Sequence, residues 1–159
     1  MQTRFFSAFA VSAIALVTAP IGATPPASHP AHAHSAAATM GGGMKLSATL
    51  TGSAEVPAGD PDGTGSFSAT LNRGHNRLCY ELRVSALTAP TAAHIHVGAA
   101  GQNGAPVVML AAPTNGMAKA CVAVAADLAQ KLMATPAGYY VNVHNAEFPN
   151  GGLRGQLGR

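Results

Sequence analysis

Three histidines carry the densest chemistry in this chain. His94 and His96 flank Ile95 in PTAAHIHVGAAG, and His144 follows fifty residues after His94 (144 − 94) in GYYVNVHNAEF. Along an extended strand successive side chains alternate faces, so His94 and His96 share one face roughly 7 Å apart while Ile95 points away. The same alternation through residues 140–144 puts Asn142 and His144 with the doublet, and Val141 and Val143 inward with Ile95 and Val97. If the two strands pair, the three imidazoles converge. Neutral imidazoles suit Zn(II) or Cu(II), so the spacing nominates His94, His96 and His144 as metal ligands, with copper ahead of zinc in an exported chain. Glu147 is the candidate extra ligand, and Asn142 a partner that could fix an imidazole tautomer. The plainer alternative makes His94 and His96 polar-face residues and His144 a strand-end cap. His75, in the turn 72–76, reads as a solvated loop residue.

Positioning three such side chains requires strands, and the pattern supplies them. Period-two segments fall at 45–51, 65–71, 77–85, 92–97, 106–110, 118–124, 138–144 and 153–157. Turn residues separate them: Asp60-Pro61-Asp62-Gly63, Asn72-Arg73-Gly74, Gln102-Asn103-Gly104, Asn115-Gly116 and Asn150-Gly151-Gly152. One short helix is predicted over 126–133, stopped by Pro136. The expectation is an all-β fold, an antiparallel Greek-key-like β-sandwich of about eight strands with one short helix. Cys79 and Cys121 are the only cysteines, and an even count in an exported chain argues for a disulfide between two strand-like runs.

Residues 1–23 read as a secretory signal peptide: Arg4 gives the positive start, an apolar stretch follows, and Ile21-Gly22-Ala23 ends in a small residue. The apolar run is shorter than a spanning helix needs, and Pro20 ends it, so no integral membrane segment is expected after cleavage. The expected location is periplasmic or secreted. Residues 24–44, rich in Pro, Ala, Gly and His, form a flexible linker whose His29, His32 and His34, with Met40 and Met44, could capture metal. A bland spacer is the competing reading. The single β domain then spans residues 45–159.

Composition excludes more than it selects. With Arg4 removed, eight Lys and Arg stand against six Asp and Glu, scattered singly, so there is no basic stripe. Nucleic-acid binding would want clustered cations among aromatic platforms, and tryptophan is absent. The sequence contains no G-x-S-x-G elbow, no phosphate-cradling G-x-x-x-x-G-K and no C-x-x-C-H haem site.

The segments AAHIHVGAAGQNGAPVVML and AGYYVNVHNAEFPNGGLRGQL, with KLSATLTGSAEVP and GTGSFSATL upstream, resemble the CHRD domain over roughly residues 45–158. The resemblance implies a β-rich extracytoplasmic module, and by likeness to chordin it implies contacts with another exported protein. Two positions depart from the family pattern: Gly152 stands where an acid is common, and Asn145 where a hydroxyl is. The H-x-H strand, the later histidine and Arg154 are also similar to the copper ligands and anion-guiding arginine of copper-zinc superoxide dismutase. The bridging histidine and zinc ligands of that enzyme have no counterpart, since residues 98–116 hold no histidine or aspartate. Arg154 reads more simply as a structural partner of Glu147 or of a neighbouring carbonyl. The sequence thus points first to an exported copper- or zinc-binding sandwich, then to a metal-free interaction module, and last to a dismutase-like enzyme.

Overall fold

A computed structural model describes residues 42–159. The signal-peptide and linker expectations, with His29, His32, His34 and Met40, therefore lie outside the described residues. No helix among the described residues is long and apolar enough to cross a membrane.

Eight strands form one antiparallel sheet: β1 (Met44–Thr51), β2 (Thr64–Asn72), β3 (Arg77–Ser85), β4 (Ala92–Val97), β5 (Pro106–Leu110), β6 (Met117–Ala123), β7 (Tyr139–His144) and β8 (Leu153–Gln156). Their order is β5-β4-β7-β8-β1-β2-β3-β6. The expected all-β, antiparallel, eight-strand architecture is thus present. The two halves of the sheet meet where the ladder is thinnest. Between β1 and β8 the only ladder pair is Thr51 with Arg154, continued by the Ser47–Gly158 bridge. Gly155 sits at this crossing, where a Cβ would lie 2.3 Å from the Thr49 carbonyl oxygen. Any larger residue would push the two strands apart.

The sheet folds about that join so that the inward residues of both halves share one core. Leu46, Leu50, Phe67, Leu71, Leu78 and Leu82 come from one half, and Ile95, Val108, Leu110, Val141, Val143 and Leu153 from the other, all within one buried cluster. The chain crosses between halves after β3, after β5 and again after β6, which gives the expected Greek-key character. The second of these crossings is pinned by the Ala111 amide, which donates to the Tyr80 hydroxyl oxygen at 2.7 Å. Met44 opens β1 and packs partly buried against the core, so it is a core contact and not a mobile sulfur of the linker.

Turn chemistry acts where the sequence placed it. The Asp60 carboxylate accepts from the amides of Asp62 and Gly63, each at 3.0 Å, and Asn72 accepts from Gly74. The helix α1 (Ala126–Ala134) buries Ala129 and Leu132, shows Asp127 and Lys131 to solvent, and ends before Pro136.

Cys79 and Cys121 are bonded, as the even cysteine count implied. They face each other across β3 and β6 on the outer surface, fastening an edge strand to its neighbour. The bridge closes a loop of 42 residues, for which the chain-entropy model gives about 4 kcal/mol of stabilisation. Urea unfolding of the Cys79→Ala, Cys121→Ala double variant should show a loss of that order, with β6 the first element to exchange its amides. A loss below about 1 kcal/mol would mean that the strand ladder alone holds the edge.

Candidate metal centre

The pairing of β4 with β7 decides the site. His94 stands opposite Asn142, His96 opposite Tyr140, and Ala92 opposite His144. The inward residues between them, Ala93, Ile95, Val141 and Val143, are fully buried in the core. His94, His96, Tyr140, Asn142 and His144 therefore share the outer face, as the alternation predicts. Val97 departs from it: at the strand end it is 42% exposed instead of joining the core.

The three predicted histidines do come together. All are half-buried, and one nitrogen of each lies within 4.8 Å of the others. His94 Nδ1 is 3.1 Å from His144 Nε2. Carbonyl oxygens fix two of the rings. His96 Nδ1 donates to Gly104 O at 2.8 Å, and His144 Nδ1 donates to Pro149 O at 3.0 Å. A nitrogen that donates to a carbonyl must carry the proton, so in the neutral ring the Nε2 of each bears a lone pair, and that of His144 accepts from His94 Nδ1. His96 Nε2 is buried and has no hydrogen-bond partner. With metal–nitrogen bonds of about 2.0–2.1 Å, two nitrogens on one ion sit roughly 3 Å apart. The His94–His144 separation falls at that spacing.

The loops that supply those carbonyls are themselves held. Gly104 approaches β4 so closely that a Cβ would lie 1.7 Å from the Val97 carbonyl oxygen, so only glycine can present its own carbonyl to His96. Its amide donates to the Tyr140 hydroxyl at 3.3 Å. The Tyr140 ring stacks on His96 with centroids 4.9 Å apart and takes the Arg154 guanidinium over its face at 3.4 Å. Below His144, the Asn145 amide donates to Thr88 O at 3.0 Å and its carbonyl accepts from Phe148 N at 2.7 Å, which shapes the turn that carries Pro149. Gly152 fits the same corner, because a Cβ there would press on Leu87 at 2.9 Å.

Arg154 takes backbone carbonyl partners, one of the two structural readings of this residue, and Glu147 stands apart from the site. Arg154 is 1% exposed and spends its donors on Asn103 Oδ1 (3.2 Å), Ala99 O (3.0 Å) and Gln102 O (2.7 Å). A guanidinium so committed fastens the 98–105 loop and offers nothing to an anion arriving from solvent. It does not pair with Glu147, which is exposed and outside the histidine cluster. Asn142 turns its amide to Glu55 Oε1, and its own carbonyl oxygen is buried without a partner. Its contact is thus with a carboxylate and not with an imidazole. His75 is an exposed turn residue away from the cluster.

Glu55 is the buried acid the sequence reading missed. It lies in the SAEVP stretch, where the only signal was a lone carboxylate between small and apolar residues. Burial raises its pKa above the usual carboxylate value, and the Asn142 amide, the Val56 amide and the Arg154 charge oppose that rise. For His94, burial lowers the pKa below 6.5, helped by repulsion from His144 and His96. Burial lowers that of His144 as well, against its bond to Pro149.

A family model described as CHRD domain matches residues 46–157, which is 112 of the 159 residues (157 − 46 + 1). No curated protein and no solved structure matches.

The lowered histidine values set a pH dependence. Above about 6.5 both folded and unfolded chains hold neutral imidazoles, and the cluster is fully compatible with folding. Below it the unfolded chain takes up protons that the folded chain refuses, so stability falls as acid is added. Glu55 acts in the opposite sense, its contribution being lost as pH rises through its raised value. The metal-free protein should unfold at lower urea near pH 5.5 than near pH 7.5, and the His94→Gln, His144→Gln double variant should lose most of that difference. An unchanged pH slope in the double variant would refute the assignment. Separately, Arg154→Gln should cost about 3 kcal/mol in urea unfolding, because buried loop carbonyls lose their donors.

Proposed function

The chain belongs to the CHRD domain family, and from the convergence of His94, His96 and His144 within it we propose that it binds a transition metal. The observation that carries this reading is the pair of fixed tautomers. Gly104 O and Pro149 O hold the protons of His96 and His144 on Nδ1, so each Nε2 is an acceptor: that of His96 has no partner, and that of His144 accepts from His94 Nδ1. Carbonyl partners behind ligating imidazoles are the usual means of orienting them. His94 completes the set by moving its own proton to Nε2, which frees Nδ1 as a ligand.

Copper stands ahead of zinc, and the role is sequestration or delivery. The disulfide supports an oxidising compartment, hence a periplasmic or secreted protein. His29, His32 and His34 would then serve as a capture arm ahead of the domain. A reaction with a small anion such as superoxide has less support, because Arg154 is buried and engaged with the loop carbonyls and Tyr140. Contacts with another exported protein would be a second use of the same module and need no metal.

Titration of the purified domain with Cu(II) and Zn(II) tests the reading. Each of His94→Ala, His96→Ala and His144→Ala should weaken binding at least about tenfold, or about 1.4 kcal/mol. Removing residues 24–43 should change the core site little. Binding by the triple variant equal to that of the unaltered domain would refute the site.

A further inference from the structure

We propose, resting on the three-imidazole reading, that Met109 is a fourth ligand through its thioether and that the ion held is copper(I). Met109 lies on β5 directly opposite His94. The neighbouring pairs on that ladder, Ala93 with Leu110 and Ile95 with Val108, are all buried in the core. Alternation therefore puts Met109 on the outer face with the histidines. Directly opposed residues in an antiparallel pair have Cβ atoms about 5 Å apart, within reach of a side chain with three rotatable bonds.

Packing does not account for a methionine at this position. Met109 is 66% exposed, while the apolar packing of β5 falls to Val108 and Leu110, with Val107 partly buried against the core. Met117, the other strongly exposed methionine among the described residues, lies on β6 opposite Arg83, with no histidine across the ladder. Only Met109 pairs solvent exposure with an imidazole neighbour. A thioether is a soft donor: it favours copper(I) and adds little for zinc(II), whose preference among these groups is for imidazole. One sulfur beside three nitrogens thus turns a site that either metal could occupy into one that discriminates. β5 is an edge strand, so the sulfur lies on the open side of the site, where an incoming ligand could displace it first during transfer.

Copper(I) affinity is measured by competition with a chromogenic chelator, with zinc(II) affinity in parallel, for the unaltered protein and for Met109→Leu. The position is exposed, so leucine should leave the fold intact. The expected result is at least about a tenfold loss for copper(I) with zinc(II) unchanged within about twofold. X-ray absorption of the copper(I)-loaded protein should show a sulfur neighbour that the variant lacks. Equal copper(I) affinity in the two proteins, or an equal loss for both metals, would overturn the methionine ligand and leave the three-histidine site standing. If the unaltered protein binds neither ion, the underlying reading falls, and this inference with it.

Discussion

The register between β4 and β7 is the constraint on which the rest of the structure depends. It buries Ala93, Ile95, Val141 and Val143 and, because side chains alternate, it must turn His94, His96, Tyr140, Asn142 and His144 outward together. A slip of one residue would bring imidazoles into the core and expose the valines, at several kcal/mol of lost apolar burial. The hydrophobic core therefore holds the histidines in place without any metal. Site and fold are written in the same two strands, which is why the site needs no separate scaffold.

An outer face that carries this many polar groups would ordinarily be solvated, yet here loops cover most of it. Asn142 and Arg154 are almost fully enclosed, and Tyr140 lies between the His96 ring and the guanidinium. Burying a guanidinium costs several kcal/mol unless its donors are met. Three loop oxygens and an aromatic face meet them. The loop at 98–105 is thereby tied to β8, and Asn103 carries the tie onward by donating to Val56 O at 2.7 Å. Glu55 enters the same region, its raised pKa reflecting burial that the Asn142 amide, the Val56 amide and Arg154 only partly offset. Charge and hydrogen bonding thus assemble the lid that delivers Gly104 O to His96.

Strand positions were legible because their signal is local. Alternation in NRLCYELRV or YYVNVH is enforced by burial on one side, and the turn residues between strands act through their own backbones. The strand-end behaviour of Val97 was not legible, since the core it would join stops at Ile95. Loop-to-strand contacts were the larger gap. Nothing near Arg154 in sequence announces Ala99, Gln102 and Asn103, and Glu55 meets Asn142 across 87 residues. Charged side chains on covered faces choose their partners by tertiary proximity, so Arg154 is buried against a distant loop while Glu147, in the same turn-rich segment, stays exposed. Met109 shows the same limit: nothing in the apolar run PVVML tells which strand it would face.

The metal-free cluster stores a free energy that a ligand can release. His96 Nε2 is buried without a partner, a state that costs about 1–3 kcal/mol for a neutral acceptor. His94 and His144 are held neutral by burial where water would let them titrate at ordinary values. His96 and His144 cannot relax by turning, because Gly104 O, Pro149 O and the Tyr140 ring fix these two imidazoles from behind. A cation placed among the three nitrogens would satisfy the orphaned lone pair and favour the neutral rings that burial already imposes. It would also meet ligands whose rotamer entropy was lost on folding. On the proposed reading, affinity comes less from strong individual bonds than from this preorganisation, which the β4–β7 register and the loop at 98–105 set in place before any ion arrives.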